Sequence, residues 1–315
     1  MSRHISYRRA ETRDIRAVHA VFYRSLYDYL FRIGMVDEQM AKDPPIASGW
    51  RRLSVWFEHL WNSAAENWVA EDEERGVVGW AMSVKRDDHL ELTHCFVEPG
   101  IQARGIGRDL IKHAFPDGLA SEKTIIATQD TRALALYLRS GVNFVTTSVE
   151  LIIAPKRTEP ASNFVFDSAD AEDHSVLEAI AGLELAVLGY RRDIDIRFLL
   201  GLRPAWLVRK AGAIVGFAFG AQPKLPDSGD LPSSCGPIAA SNEADMPAIL
   251  DHVINAAAAT MEDRIRFVVP LVNQVAIKHL LQQGAKIDPF YVSILASKNT
   301  MRLERWIHTT PLFIM

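Results

Sequence analysis

The sequence predicts two mixed α/β domains in tandem, each a mixed α+β sheet flanked by helices. Three observations lead there. A β-branched and aromatic run, Leu92 to Val97, stops at Pro99 and gives way to a glycine loop and then a helical pattern. A set of strand and helix signals occurs twice in the same order along the chain. With 315 residues, 48% hydrophobic and 23% charged, the chain is globular and long enough for two domains that each bury a core.

The elements follow in order. A strand ending at Tyr7-Arg8-Arg9 runs into Ala10-x-x-x-Asp14 and an amphipathic helix carrying Ile15, Val18, Val21 and Phe22. The next stretch, Tyr23 to Trp68, is dense in aromatics (Tyr23, Tyr27, Tyr29, Phe31, Trp50, Trp56, Phe57, Trp61) and reads as a helix pair. Trp68-Val69-Ala70 and Val77 to Met82 form a hairpin around a polar turn. The glycine loop is followed by a helix with Leu110, Ile111, Ala114 and Phe115 on one side. A later helix carries Ala133, Leu136 and Tyr137 before its stop at Gly141.

The second half repeats this plan. Phe166 to Asp173 echoes Tyr7 to Asp14, and Val176, Leu177 and Ile180 mark the helix that follows. Trp206-Leu207-Val208 with Ile214 to Phe219 matches the first hairpin. Asp130, Tyr137 and Gly141 line up with Asn273, Leu280 and Gly284, always 143 positions apart. Each copy therefore reads β, helix pair, ββ hairpin, β, helix, β, helix, β. The expected division is residues 1–155, a proline-bracketed linker at 156–162, and residues 163–315.

Several function classes are excluded at this level. A net charge of −4 gives no general affinity for nucleic acid or an anionic membrane. Met1 to Ser6 lacks the apolar core of a signal peptide, and no apolar run approaches membrane-spanning length. Cys95 and Cys235 cannot make a disulfide framework, and no Cys/His spacing suggests zinc. The expectation is a reduced, cytoplasmic, metal-free protein with no nucleic-acid or membrane partner.

The loop Gln102-Ala103-Arg104-Gly105-Ile106-Gly107 sits between a strand and a helix start, with Arg104, Arg108 and Lys112 around it. Glycines let the main chain approach an anion, successive N–H groups converge on it, and the helix dipole adds to the field. The site suits a phosphorylated cofactor. A dinucleotide fingerprint needs a third glycine where Leu110 stands, and no Lys-Ser or Lys-Thr follows Gly107 to make a Walker loop. Val97-x-Pro99, a short spacer, and Gln-x-x-Gly-x-Gly-x-x-Leu instead resemble the acetyl-CoA loop of the GCN5-related N-acetyltransferase (GNAT) superfamily. The whole chain resembles a tandem-GNAT protein whose C-terminal copy is degenerate.

The resemblance implies an N-acetyltransferase that uses acetyl-CoA, or another acyl-CoA, as co-substrate and no metal. A small-molecule or peptide amine would attack the thioester directly in a ternary complex. It assigns Gln102, Ala103, Arg104, Gly105, Ile106 and Gly107 to the pyrophosphate, and the main chain of Cys95, Phe96 and Val97 to the pantetheine and thioester. Tyr137 corresponds to the tyrosine that protonates the departing thiolate. Asp130 stands where the family often has Asn, at a cofactor contact. Glu91 occupies the position of the glutamate base in histone-acetyltransferase-type members. His94 is the alternative base, and period-two geometry puts the two on opposite faces unless a bulge intervenes. Cys95 as a covalent nucleophile lacks an activating His and Asn/Asp pair in any recognisable motif. The aromatic segment forms either one wall of an acceptor pocket or a helix-pair core. In the second copy Gly236 to Pro247 contains no Gly-x-Gly, and its Glu243 and Asp245 would repel a pyrophosphate. The other reading of the same loop is a non-catalytic acyl-CoA-binding or regulatory module.

Overall fold

The computed structural model describes residues 4–102, 104–159, 163–224, 229–309 and 314. Its contacts divide the chain into two compact units, Met1–Asn143 with Leu295–Lys298, and Phe144–Ile294 with Asn299–Met315. The units are a different division from the copies at 1–155 and 163–315. Residues 144–153, which the repeat assigns to the first copy, pack within the second unit, and Leu295–Lys298 pack within the first. Of the linker, Pro160, Ala161 and Ser162 lie outside the described residues.

The first unit runs β1 (Ile5–Arg9), α1 (Ile15–Arg32), α2 (Glu38–Lys42), α3 (Ile46–Asn62), β2 (Ala64–Asp72), β3 (Gly76–Arg86), β4 (His89–Val97), α4 (Ile106–Ala114), β5 (Glu122–Thr128) and α5 (Thr131–Leu138). Its strands lie in the order β1-β2-β3-β4-β5, antiparallel except for the parallel pair β4/β5. Asp14 stands at the N-cap of α1 and is anchored by Arg8 through bonds of 2.6 and 3.0 Å, which fixes the entry of the helix. Leu90, Leu92, Ile106, Leu110, Ile125 and Ala127 belong to one apolar cluster between the sheet and α4. Leu295 is fully buried in the same cluster, and Lys123 and Ser297 exchange two hydrogen bonds of 2.8 Å.

The aromatic segment is mostly core. Tyr23, Trp56 and Phe57 are at most 1% exposed, and rings of α1 and α3 pack with Trp80, His94 and Phe96 of the sheet. Two histidines are enclosed there. Burial pulls His94 down to about 3 and His19 down to about 4, both from 6.5. Arg16 and Arg52 add to the shift of His19. Below pH 6.5 the unfolded chain takes up protons that these two rings refuse in the fold. Stability is therefore complete above that pH and falls as pH drops, by about 1.4 kcal/mol per unit for each histidine. A urea titration series should show its midpoint dropping steeply between pH 6.5 and pH 4. A midpoint that stays level across that window would mean that both rings are charged in the folded state.

The second unit contains β6 (Asn143–Ile153, from Phe144), β7 (Phe164–Ser168), α6 (His174–Leu188), α7 (Asp193–Leu200), β8 (Ala205–Lys210), β9 (Ala213–Phe219), β10 (Ser233–Ser234), β11 (Ile238–Ala240), α8 (Met246–Ala259), β12 (Ile265–Pro270), α9 (Gln274–Gln282), β13 (Lys286–Ala296, to Ile294) and β14 (Trp306–Ile307). Five strands are ordered β14-β11-β9-β8-β7, and four more β13-β6-β12-β10. The two copies follow the same plan up to β13 with two differences: the short helix α2 has no counterpart in the second copy, and β10 and β11 stand where the first has β4. Glu184 and Arg192, both fully enclosed, form a buried ion pair joining α6 to the segment before α7.

The offset of 143 survives in three dimensions. Asp130 and Asn273 both cap the helix they precede, and Gly141 and Gly284 both take left-handed φ values of 87° and 92°. Gly79 of β3 faces Val97, and Gly216 of β9 faces Ala240. A Cβ on Gly79 would meet Ile106 at 3.3 Å, and one on Gly216 would meet Ile249 at 2.9 Å. These glycines let the following helix sit close on the sheet in both copies.

Candidate functional site

The site begins where two parallel strands part. β4 and β5 pair from His89/Glu122 to Leu92/Ile125 and no further, although β4 continues to Val97 and β5 to Thr128. On the other edge of β4, Ser83 faces Leu92 and Met82 faces His94, so Thr93 is one residue too many. That bulge bends the strand away from β5. Thr93 donates to the Met82 carbonyl at 3.1 Å and contacts His94 Nδ1 at 2.9 Å.

The bulge also shifts the parity of the strand. Glu91, His94 and Phe96 share the face covered by α1 and α3, whereas Leu92, Cys95 and Val97 share the face of α4 and α5. The opposition of Glu91 and His94 expected from unbroken period two is therefore removed. Both are buried, at 4% and 2% exposure.

Between the parted strands lies a cavity of ≈ 310 Å³. Glu98 donates its amide to Val78 of β3, so the main-chain groups of the alternate residues Cys95 and Val97 turn toward the gap. The Val97 carbonyl accepts from Ser25 Oγ and from Gln102 Nε2, each at 2.9 Å. At one wall α4 starts from Gly105, in a left-handed conformation with φ 85° and no side-chain cap on the helix. An N-terminus without a side-chain cap suits an anion. A Cβ on Gly107 would stand 3.4 Å from Leu136 and 3.7 Å from Val97, inside the cavity wall. Arg108 and Lys112 both bind Asp109, at 3.1 and 3.0 Å.

The opposite wall is α5. Asp130 caps it by accepting from the Arg132 amide at 3.0 Å, and its carboxylate also binds Arg132 and Arg32 at 2.8 Å each. Burial opposes its charge, but the two guanidiniums hold the carboxyl well below the usual range. Tyr137 is 8% exposed and its hydroxyl lies beside the Cys95 thiol. Burial, reinforced by Cys95 and Asp130, pushes the phenol well above 10. Burial pushes the Cys95 thiol up to about 12, against the Tyr137 hydroxyl beside it. Cys95 is thus a neutral thiol, far from the thiolate a nucleophile needs.

Of the residues singled out in the sequence, Cys95, Phe96, Val97, Gln102, Gly105, Ile106, Gly107, Asp130 and Tyr137 line this one cavity. Ala103 lies outside the described residues. Arg104 is exposed and is not part of the lining, and neither is Glu91. Of the nine aromatics from Tyr23 to Trp68, only Tyr29 reaches the cavity. Ser25, Arg32 and Arg132 are contributors that no motif marks. Their distance from the glycine loop in sequence hides them, and only the approach of α1 to the strand gap brings two of them in. Among the described residues no group of side chains could hold a metal ion, and no helix is long and apolar enough to cross a membrane.

The corresponding positions of the second unit differ. α8 begins at Met246, before the positions equivalent to α4, and Ala248 and Leu250 stand where Gly105 and Gly107 are. Asp245 at its N-cap binds Lys210 at 2.6 Å. Leu280, fully buried, replaces Tyr137.

The acetyltransferase (GNAT) family model matches residues 33–142. Among solved structures, a protein from Pyrococcus horikoshii described as an acetyltransferase without a demonstrated activity is 13% identical with a TM-score of 0.67, covering 96% of this chain and 92% of that one. A GCN5-related N-acetyltransferase from Sphaerobacter thermophilus is 14% identical with a TM-score of 0.60, covering 93% and 95%. A tandem GNAT protein from the clavulanic acid biosynthesis pathway is 12% identical with a TM-score of 0.60, covering 94% and 100%. At these identities the likeness shows the fold. No curated protein matches the sequence.

Proposed function

We propose, from the premise that this chain is a tandem-GNAT protein with its family match in the N-terminal half, that the first unit binds acetyl-CoA or another acyl-CoA and acylates an amine. The observation that carries the reading is convergence on one cavity. An uncapped helix N-terminus, the free edge of a bulged strand and a buried phenol all face it.

In this reading the N–H groups from Gly105 to Arg108 hold the pyrophosphate, and the main chain of Cys95 and Val97 lines the pantetheine arm. Acyl-CoA supplies the activated acyl group, and the amine attacks it in a ternary complex. Tyr137 donates its hydroxyl hydrogen to the sulfur as that atom takes up charge. The proton lost by the amine is assigned to Glu91 by the family resemblance, although Glu91 is buried outside the cavity lining. A histidine held at about 3 is a weak base, which favours Glu91 over His94. The acceptor is a small-molecule or peptide amine, and no step needs a metal.

A second reading keeps the cofactor and drops the turnover. The Tyr137 hydroxyl already has the Cys95 thiol beside it, which suits a binding or regulatory module as well as an enzyme.

Acetyl-CoA should raise the melting temperature, by the equivalent of ~2.7 kcal/mol at ~100 times its dissociation constant. Thiol release would then be measured with polyamines, aminoglycosides, amino acids and peptides as acceptors. Release with any of them supports the enzyme, and tight binding with none favours the regulatory module. No stabilisation by any CoA ester would overturn both. Calorimetry should count one acyl-CoA per chain, because Leu250 and Asp245 replace the phosphate cradle in the second unit. Two equivalent sites would contradict that asymmetry.

A further inference from the structure

The second unit has the counterpart of the strand gap, and the chain itself fills it. β10 pairs with β12 in parallel, as β4 pairs with β5 before the bulge. β11 then leaves β12 and pairs only with β9 and β14. Its residues Ile238, Ala239 and Ala240 face Ala218, Phe217 and Gly216 as Cys95, Phe96 and Val97 face Ala81, Trp80 and Gly79. β11 is thus the same stretch of strand that edges the cavity in the first unit.

Into this gap comes the segment Trp306-Ile307-His308. Ile307 pairs with Ile238 and Trp306 with Ala239. On the far side, the His308 amide donates to the Val268 carbonyl at 2.9 Å. Val268 lies at the position of Ile125, the last β5 residue paired with β4. Asn273, the equivalent of Asp130, caps α9 with its oxygen and donates its side-chain N–H to the Trp306 carbonyl at 3.1 Å. A Cβ on Gly236 would collide with the His308 carbonyl. Trp306, Ile307 and His308 are all fully buried.

We propose that the second unit retains a slot for a pantetheine-type chain and that Trp306–His308 occupies it as an internal substitute. An extended peptide and a pantetheine arm share a chemistry, a narrow chain of alternating amide donors and acceptors that adds to a strand edge. The slot takes that chain without phosphates, because the Asp245 carboxylate stands at the N-terminus of α8. Naming pantetheine rests on the reading of the first cavity given above. The occupation of the second gap by residues 306–308 does not.

The test uses a chain ending at Asn299 and a fluorescent peptide of residues 300–315. Should the shortened chain not fold, a full chain carrying a protease site between the exposed Lys298 and Asn299 is cut after folding and its fragment exchanged for the labelled peptide. The peptide should bind the shortened or cut chain and not the intact one. Pantetheine should weaken peptide binding about tenfold when present at about ten times its own dissociation constant. Peptide that binds intact chain equally well, or fails to bind the opened chain, overturns the proposal. So does peptide binding that saturating pantetheine leaves unchanged. Failure of acetyl-CoA to stabilise the intact chain would count against the first unit's function alone, since the competition reads only the second slot.

Discussion

Gly107→Glu should abolish acyl-CoA binding and leave the fold standing. Gly107 lies in the first turn of α4, and a Cβ there makes ordinary contact with Leu136 and Val97, so the backbone tolerates the change. The new carboxylate then sits among the N–H groups proposed to hold the pyrophosphate. It adds like charge where the dipole and main chain favour an anion, and it takes up the space of the ligand. The loss should be complete in a thermal-shift titration, with the unliganded melting temperature within a few degrees of wild type. Gly105→Glu is the less clean variant, because Gly105 has φ 85° and a side chain there is strained before any ligand arrives. If Gly107→Glu still binds acetyl-CoA with wild-type affinity, the phosphate lies elsewhere.

Tyr137→Phe should lower turnover by roughly 10²-fold while acyl-CoA affinity changes little. The substitution removes one oxygen from a well-packed ring and leaves the cavity shape intact. The phenol titrates well above 10, whereas a leaving thiol titrates near ~8.5, so full proton transfer before the bond breaks is uphill. The hydroxyl therefore acts by donating a hydrogen bond that strengthens as charge reaches the sulfur. The assay is thiol release at neutral pH with an acceptor found in the panel. Full activity in Tyr137→Phe would remove the acid from the mechanism and leave water to protonate the thiolate.

Local chemistry was the legible part of this protein. The glycine loop ahead of a helix and the glycine stops at Gly141 and Gly284 each follow from a few neighbouring residues, and all appear where the sequence puts them. Features set by pairing were not legible. Thr93 looks like any strand residue, and only its partners Met82 and Ser83 reveal that it is a bulge. That one residue decides whether Glu91 and His94 share a face. The aromatic density from Tyr23 to Trp68 left a pocket wall and a helix-pair core both open, and most of it packs α1 and α3 against the sheet. Trp306 to His308 carry no motif at all. Their role depends on a gap that exists only after β11 and β12 have separated.

The placement of Leu295–Lys298 in the first unit bears on how the chain is made. Synthesis from the N-terminus ordinarily lets a leading domain fold before the next one appears. Here the leading unit waits for Leu295, a buried member of its own core, until the whole stretch 144–294 has been translated. Completion of the first core therefore needs a contact of long sequence separation, which favours slow folding. A nascent chain arrested before residue 295 should remain protease-sensitive throughout residues 4–143 and bind no acyl-CoA, however long it is left on the ribosome.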